Sequence, residues 1–208
     1  MLESNPLPSP NLDSVEDPAN QQADVMVVAL PEDVSLPPTL KQINEATDGW
    51  LSRLIELGEI KSDKGEACLL ASPLANGPTM ILVIGVGNDT SSRSAAFESA
   101  AIAIRKLVDR PRSRVIFALA ECFDTGTHDS IVAGDISGFE GQSIYRSVPK
   151  VVPPTQISFH GISAADIDRG SVIGESINHV RRLVNEPPAM IYPESFAQRA
   201  SQLATDVG

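Results

Sequence analysis

Asp124, His128 and Asp129 form the one place in this chain where histidine and carboxylates cluster. Imidazole with carboxylate suits several divalent ions, so a metal site is one reading of the trio. The spacing fits no established ligand pattern, and Thr127 or Asp129 is more simply read as the N-cap of a following helix. A second stretch, Gly85-Val86-Gly87-Asn88-Asp89-Thr90, imitates a dinucleotide fingerprint. Thr90 stands where the third glycine belongs and no convincing acid ends a following strand, so a plain turn is the favoured reading. The chain contains no HExxH, CxxC or GxSxG pattern. His160 follows a strand-like run and His179 lies in a helical one; both read as structural or surface histidines rather than bases. Cys68 and Cys122 each lie beside a strand-like run. They read as small buried hydrophobes in a reducing compartment rather than as a disulfide. From these residues alone no catalytic, cofactor-binding or metal position is assigned.

The elements that must position these groups are clearer. Ile81–Ile84 is a short unbroken apolar run, the mark of a strand buried on both faces, and Gly85 and Gly87 end it. A helical pattern runs from Ser92 to Val108, and Val115–Ala120 reads as a second buried strand. Strand, helix and strand predict a parallel pair with a right-handed crossover, with Ile81–Ile84 and Val115–Leu119 adjacent in the sheet. Asp24–Leu30 is another strand. Pro37-Pro38 bars an early helix start, and one helix is predicted from Thr39 to a stop at Gly58, with Gly49 inside it. Ala67–Ala71 and Gln156–Phe159 complete the strands. A helix is predicted from Asp129 to Arg146, carrying Val132, Ile136, Phe139 and Ser143, with a proline loop from Pro149. Ile173, Ile177, Val180 and Val184 fall on one stripe of a later helix that Pro187-Pro188 ends. Pro193 opens a last helix carrying Phe196, Ala200 and Leu203 inward.

Composition bounds the rest. Of 208 residues, 42% are apolar but only 4% aromatic, so aliphatic side chains must fill the core. Sixteen basic against 27 acidic residues give a net charge of −11, which disfavours nucleic acid as a partner. No apolar run approaches a membrane span and the N-terminus has no basic leader, so the expected setting is cytoplasmic. The expected fold is a three-layer α/β domain, a mixed and largely parallel sheet between helices. Residues 1–22 read as a disordered acidic tail, 23–162 as the α/β domain, and 163–208 as a linking helix with the start of a further domain.

Arg181–Ala200, RRLVNEPPAMIYPESFAQRA, carries a resemblance. It is similar to the segment joining the two domains of the leucyl (cytosol) aminopeptidases. There an Arg-x-Leu-x-Asn-x-Pro-Pro run ends a long helix, and a Thr-Pro-x-x-Phe/Leu-Ala run starts the next. Here the matching positions are Arg181 or Arg182, Leu183, Asn185, Pro187 and Pro188, then Pro193, Phe196 and Ala197, with Tyr192 in place of the capping Thr. Asp48-Gly49-Trp50-Leu51 with Leu54, Gly58 and Glu59 resembles the family's first helix, and Leu82–Gly87 its glycine-ended central strand. The likeness runs from Ala23 to Gly208. It implies a non-catalytic N-terminal domain, macro-domain-like in fold. The catalytic domain, holding two divalent metals (zinc or manganese) and binding the peptide substrates, would follow Gly208, and the whole would form a homo-hexamer. Two alternatives stay open: a free-standing macro-type module taking an ADP-ribose-like ligand at Gly85–Ser91, and a purely structural domain.

Overall fold

The aliphatic runs do become the centre of the molecule. In a computed structural model, which describes residues 7–139 and 151–207, six strands form one sheet. They are β1 (Asn11–Val15), β2 (Val25–Pro31), β3 (Ala67–Ala71), β4 (Met80–Gly87), β5 (Arg114–Ala118) and β6 (Gln156–His160). The helices are α1 (Pro38–Ala46), α2 (Trp50–Glu56), α3 (Arg93–Arg105), α4 (His128–Gly138), α5 (Ala164–Asn185) and α6 (Pro193–Val207). The strand order is β1-β6-β5-β2-β4-β3, parallel throughout except for β3. One apolar cluster joins the sheet to α3, α4 and α5; a second joins its other face to α1 and α2. That gives three layers. No helix among the described residues is long and apolar enough to cross a membrane.

Three expectations about the sheet and its first helix need correcting. Ile81–Ile84 and Val115–Leu119 share the sheet and are buried, but they are not neighbours. β2 lies between them, with Val25 opposite Met80 on one side and Val115 on the other. β2 is buried from Val25 to Leu30, and the most apolar run takes the middle. Within residues 1–22, Asn11–Val15 forms an edge strand paired in parallel with β6. An edge strand is held chiefly by its backbone ladder, which polar side chains do not hinder. Leu12 packs against one core cluster, Val15 enters the other, and Gln156 Nε2 donates to Asp13 Oδ2 at 2.7 Å. The single helix expected from Thr39 to Gly58 is two. Asp48 (φ 49°) and Gly49 (φ 77°) are left-handed and break it, while Pro38 opens α1 rather than blocking it. Gly58 does end α2 in the left-handed region.

The helical layer corrects two more. α4 is buried on every side, because glycine lets its neighbours come close: a Cβ on Gly134 would run into the Phe97 carbonyl of α3. α5 approaches α4 through Gly170 and Gly174, with Ile167 and Asn178 on the same buried line. The stripe Ile173, Ile177, Val180 and Val184 therefore does not line the core; Val180 and Val184 are exposed. Phe196 and Leu203 of α6, expected inward, are exposed too. Ser143, Arg146 and Pro149, with the predicted end of the Asp129–Arg146 helix, lie outside the described residues.

Candidate functional site

Parallel strands leave a crevice beyond their carboxyl ends where successive crossovers depart in opposite directions. Here β2 connects to β4 on one side, and the chain then returns to β5 on the other. At those strand ends lies a crevice of about 410 Å³, lined by Pro31, Asp33, Asn88, Thr90, Glu121 and Cys122 among others. The glycine turn reaches this crevice, but its polar backbone is occupied. Gly85 N donates to the Glu66 carbonyl at 2.8 Å, and Gly87 N to the Ser62 carbonyl at 2.9 Å. A Cβ on Gly85 would collide with the Asp63 carbonyl, so glycine is required there for close packing of the 61–66 segment. A phosphate cradle needs free amides, and these two are spent inside the fold.

The helix N-termini beside the crevice are also filled by the protein's own groups. Ser92 caps α3: its Oγ accepts from Ala95 N at 3.1 Å and donates to Asp89 Oδ2 at 2.6 Å. The Ser92 hydroxyl and amide hold the Asp89 carboxyl below its ordinary value. Glu121, just past β5, accepts from the Thr39 backbone N–H and from Thr39 Oγ1 at the start of α1. His160 Nε2 lies 3.3 Å from Glu121 Oε1, and its Nδ1 lies 3.0 Å from the Val15 carbonyl. Glu121 thus joins α1, β6 and β1. A lone Glu after a strand carries no sequence signal of that role. Cys122 Sγ sits 3.7 Å from the Ala29 carbonyl, and burial, with Glu121 and Asp33 nearby, pushes its thiol up to about 12. It stays protonated and is no nucleophile. Burial raises the Cys68 thiol as well, and both cysteines are free.

Asp124, His128 and Asp129 are close in sequence but do not converge on a metal. Asp129 bonds Arg93 Nη2 at 2.7 Å and lies 3.9 Å from Arg169 Nε. Burial pulls its carboxyl upward, but the Arg93 hydrogen bond and the two guanidinium charges outweigh that and hold it low. His128 Nε2 faces the Phe123 carbonyl at 3.2 Å. The Asp124 backbone carbonyl accepts from Thr127 Oγ1, so Thr127 does not cap α4 with its side chain. No group of three His, Cys, Asp or Glu side chains among the described residues is placed to hold a metal ion. His179 lies half-buried on α5.

Residues 27–146 match the cytosol aminopeptidase family, N-terminal domain. The chain belongs to that family. A probable cytosol aminopeptidase of Rhodopirellula baltica is 42% identical over 152 residues, covering 73% of this chain and 30% of the relative. One of Xylella fastidiosa (strain M12) is 24% identical over 199 residues, covering 90% and 40%. Among solved structures, a tomato leucine aminopeptidase mutant superposes with a TM-score of 0.81 at 17% identity, covering 97% of this chain and 43% of that one. The bottromycin maturation enzyme BotP, in complex with Mn, gives 0.68 at 20% identity, covering 88% and 36%. These likenesses agree with the six-stranded, mostly parallel sheet flanked by helices. The chain spans less than half the length of each of these proteins.

Proposed function

We propose that this chain is the non-catalytic N-terminal part of a leucyl-type aminopeptidase, an enzyme that removes N-terminal amino acids from peptides with two divalent metal ions. The family match over residues 27–146 carries the reading. The relatives' greater length supports it, since it leaves room for a separate catalytic part. The side chains here do not suit a di-metal centre: Asp129 is committed to arginines and His128 to a carbonyl. Metal-assisted hydrolysis needs several ligands converging on shared ions, so the zinc or manganese would be held elsewhere. Assembly as a homo-hexamer, through contacts mainly outside this chain, and a cytoplasmic setting belong to the same proposal.

The test has two arms. The 208-residue chain alone, with zinc, manganese or magnesium, should release no leucine from a leucyl anilide. A hybrid continuing into the C-terminal sequence of the Rhodopirellula relative should be active. Metal-dependent activity of the chain alone, lost on replacing Asp124, His128 or Asp129, would overturn the reading.

The crevice favours one alternative, a macro-type module for an ADP-ribose-like ligand, because it lies where α/β sheets bind ligands. The occupied amides of Gly85 and Gly87 weigh against it. Calorimetric titration with ADP-ribose distinguishes the two readings, and a micromolar constant would favour the module.

A further inference from the structure

Four elements meet at one imidazole. His160 ends β6, Val15 ends β1, Glu121 follows β5 and Thr39 lies in the first turn of α1. Phe159 points into the cluster under α4 and α5, so His160, next along the strand, points to the opposite face, where Val15 is buried. His160 Nδ1 lies 3.0 Å from the Val15 carbonyl oxygen, and Nε2 lies 3.3 Å from Glu121 Oε1. The carbonyl can only accept. The Glu121 carboxyl is already accepting, from the Thr39 N–H at 3.0 Å and from Thr39 Oγ1 at 2.7 Å. A neutral imidazole has one donor nitrogen and one acceptor nitrogen. It can serve one of these oxygens and must set a lone pair against the other. The ring donates to both only when it carries both protons.

The contact sits where the sheet is weakest. β1 is an edge strand paired with β6 alone. Toward its start, Asp13 is tied to Gln156; at its end, the tie is the His160 ring on the Val15 carbonyl. Other charged groups on the surrounding elements do not compete for the ring. Glu16 and Asp17, which follow β1, are exposed, and Asp17 accepts from Asn20 Nδ2. Lys41 and Glu45 of α1 are exposed as well. Cys122, beside Glu121, keeps its proton, and Asp33 lies at the crevice with its Oδ1 bonded to Ser35. Glu121 is the ring's ionic partner among the described residues, and the pair is shielded, with His160 22% and Glu121 10% exposed.

We propose that His160 is a pH-sensitive latch on the edge strand β1, closed while its ring carries both protons. The closed latch ties Val15 to Glu121, and through Glu121 to the start of α1. As pH rises, one proton leaves to solvent and one donor remains for two oxygens. Either the Val15 carbonyl or the Glu121 carboxyl is then released. Release of Val15 lets the end of β1 fray and bares the backbone edge of β6. Release of Glu121 loosens a side chain that lines the crevice. The latch does not depend on the function proposed above.

Nuclear magnetic resonance on the 208-residue chain tests this. At about pH 5 both ring nitrogens of His160 should give the signals of a protonated imidazole. Between about pH 5 and about pH 8, β1 amides should lose about tenfold in protection, after correction for intrinsic exchange, while β2 amides do not. The loss should follow the His160 ring signal. His160→Gln, which has no titrating ring, should give β1 protection that is flat with pH. His179→Gln should leave the loss as it is in the parent chain. If His160→Gln does not fold, the match between ring signal and β1 protection in the parent chain decides. A neutral ring at pH 5, β1 protection that is flat while the ring titrates, or a loss that persists in His160→Gln would each overturn the latch. A loss shared equally by β2 would be global and would overturn it too.

Discussion

Helices α4 and α5 lie side by side, yet they meet their surroundings in opposite ways. Every residue of α4 from His128 to Gly138 is buried, polar ones included. α5 is twice as long, at 22 residues against 11, and buries only Ile167, Gly170, Gly174 and Asn178. Its valines stay outside. Burial in this layer follows backbone proximity, which small residues permit, rather than the position of the largest apolar side chains. α4 also carries Asp135, fully buried with neither carboxyl oxygen hydrogen-bonded. Its neighbours one turn away, Ile131 and Phe139, are core residues, so the carboxyl shares an apolar face with them.

The contrast can be tested from both sides. The largest effect is expected inside α4, where Ile131→Ala should cost about 2–5 kcal/mol in urea unfolding by leaving a cavity. A loss well below 1 kcal/mol would show that α4 is less tightly enclosed than described. On the inner line of α5, Gly170→Ala should cost about 1–3 kcal/mol, because the new Cβ would meet the Asp129 carbonyl and Val132. A neutral result there would mean that α5 does not depend on small residues to approach α4.

Asp135 gives the pH arm. Burial raises its carboxyl well above the ordinary value. Its folded pKa thus exceeds the unfolded one, and the native state holds the extra proton. Stability attributable to Asp135 should fall as pH rises from the ordinary carboxylate range through the raised folded value. Asp135→Asn should flatten that decline in urea midpoints and should be more stable than the parent at pH 8. An unchanged slope would mean that Asp135 is not buried in this way. The smallest effect belongs to the outer face. Val180→Asp in the isolated chain should shift stability by no more than about 0.5 kcal/mol. A larger loss would show that this face is already packed.

Much of the architecture was legible locally. β2, β4 and β5 are continuous aliphatic runs, Ser92 sits where a cap must, and Pro187-Pro188 ends α5 at Asn185. Tyr192 replaces the usual capping Thr, and Ser195 compensates: its Oγ accepts from Tyr192 N at 2.9 Å. The candidate sites were less legible. The glycine turn imitates a phosphate loop only in outline, and sequence shows the glycines but not the carbonyls that consume their amides. For the Asp124, His128 and Asp129 trio, the sequence does not show what claims Asp129, because Arg93 and Arg169 are distant in the chain.

By itself, then, the sequence determined where most strands and helices run, that the core is aliphatic, and which family the Arg181–Ala200 motif resembles. Those properties are written in neighbouring residues, through period, capping and proline geometry. Tertiary structure alone decided that β2 separates β4 from β5, and that Asn11–Val15 joins the sheet as an edge. It also decided that α5 turns its glycines inward. Each of these depends on which backbone comes close to which across long separations, and a local pattern of side chains does not encode that.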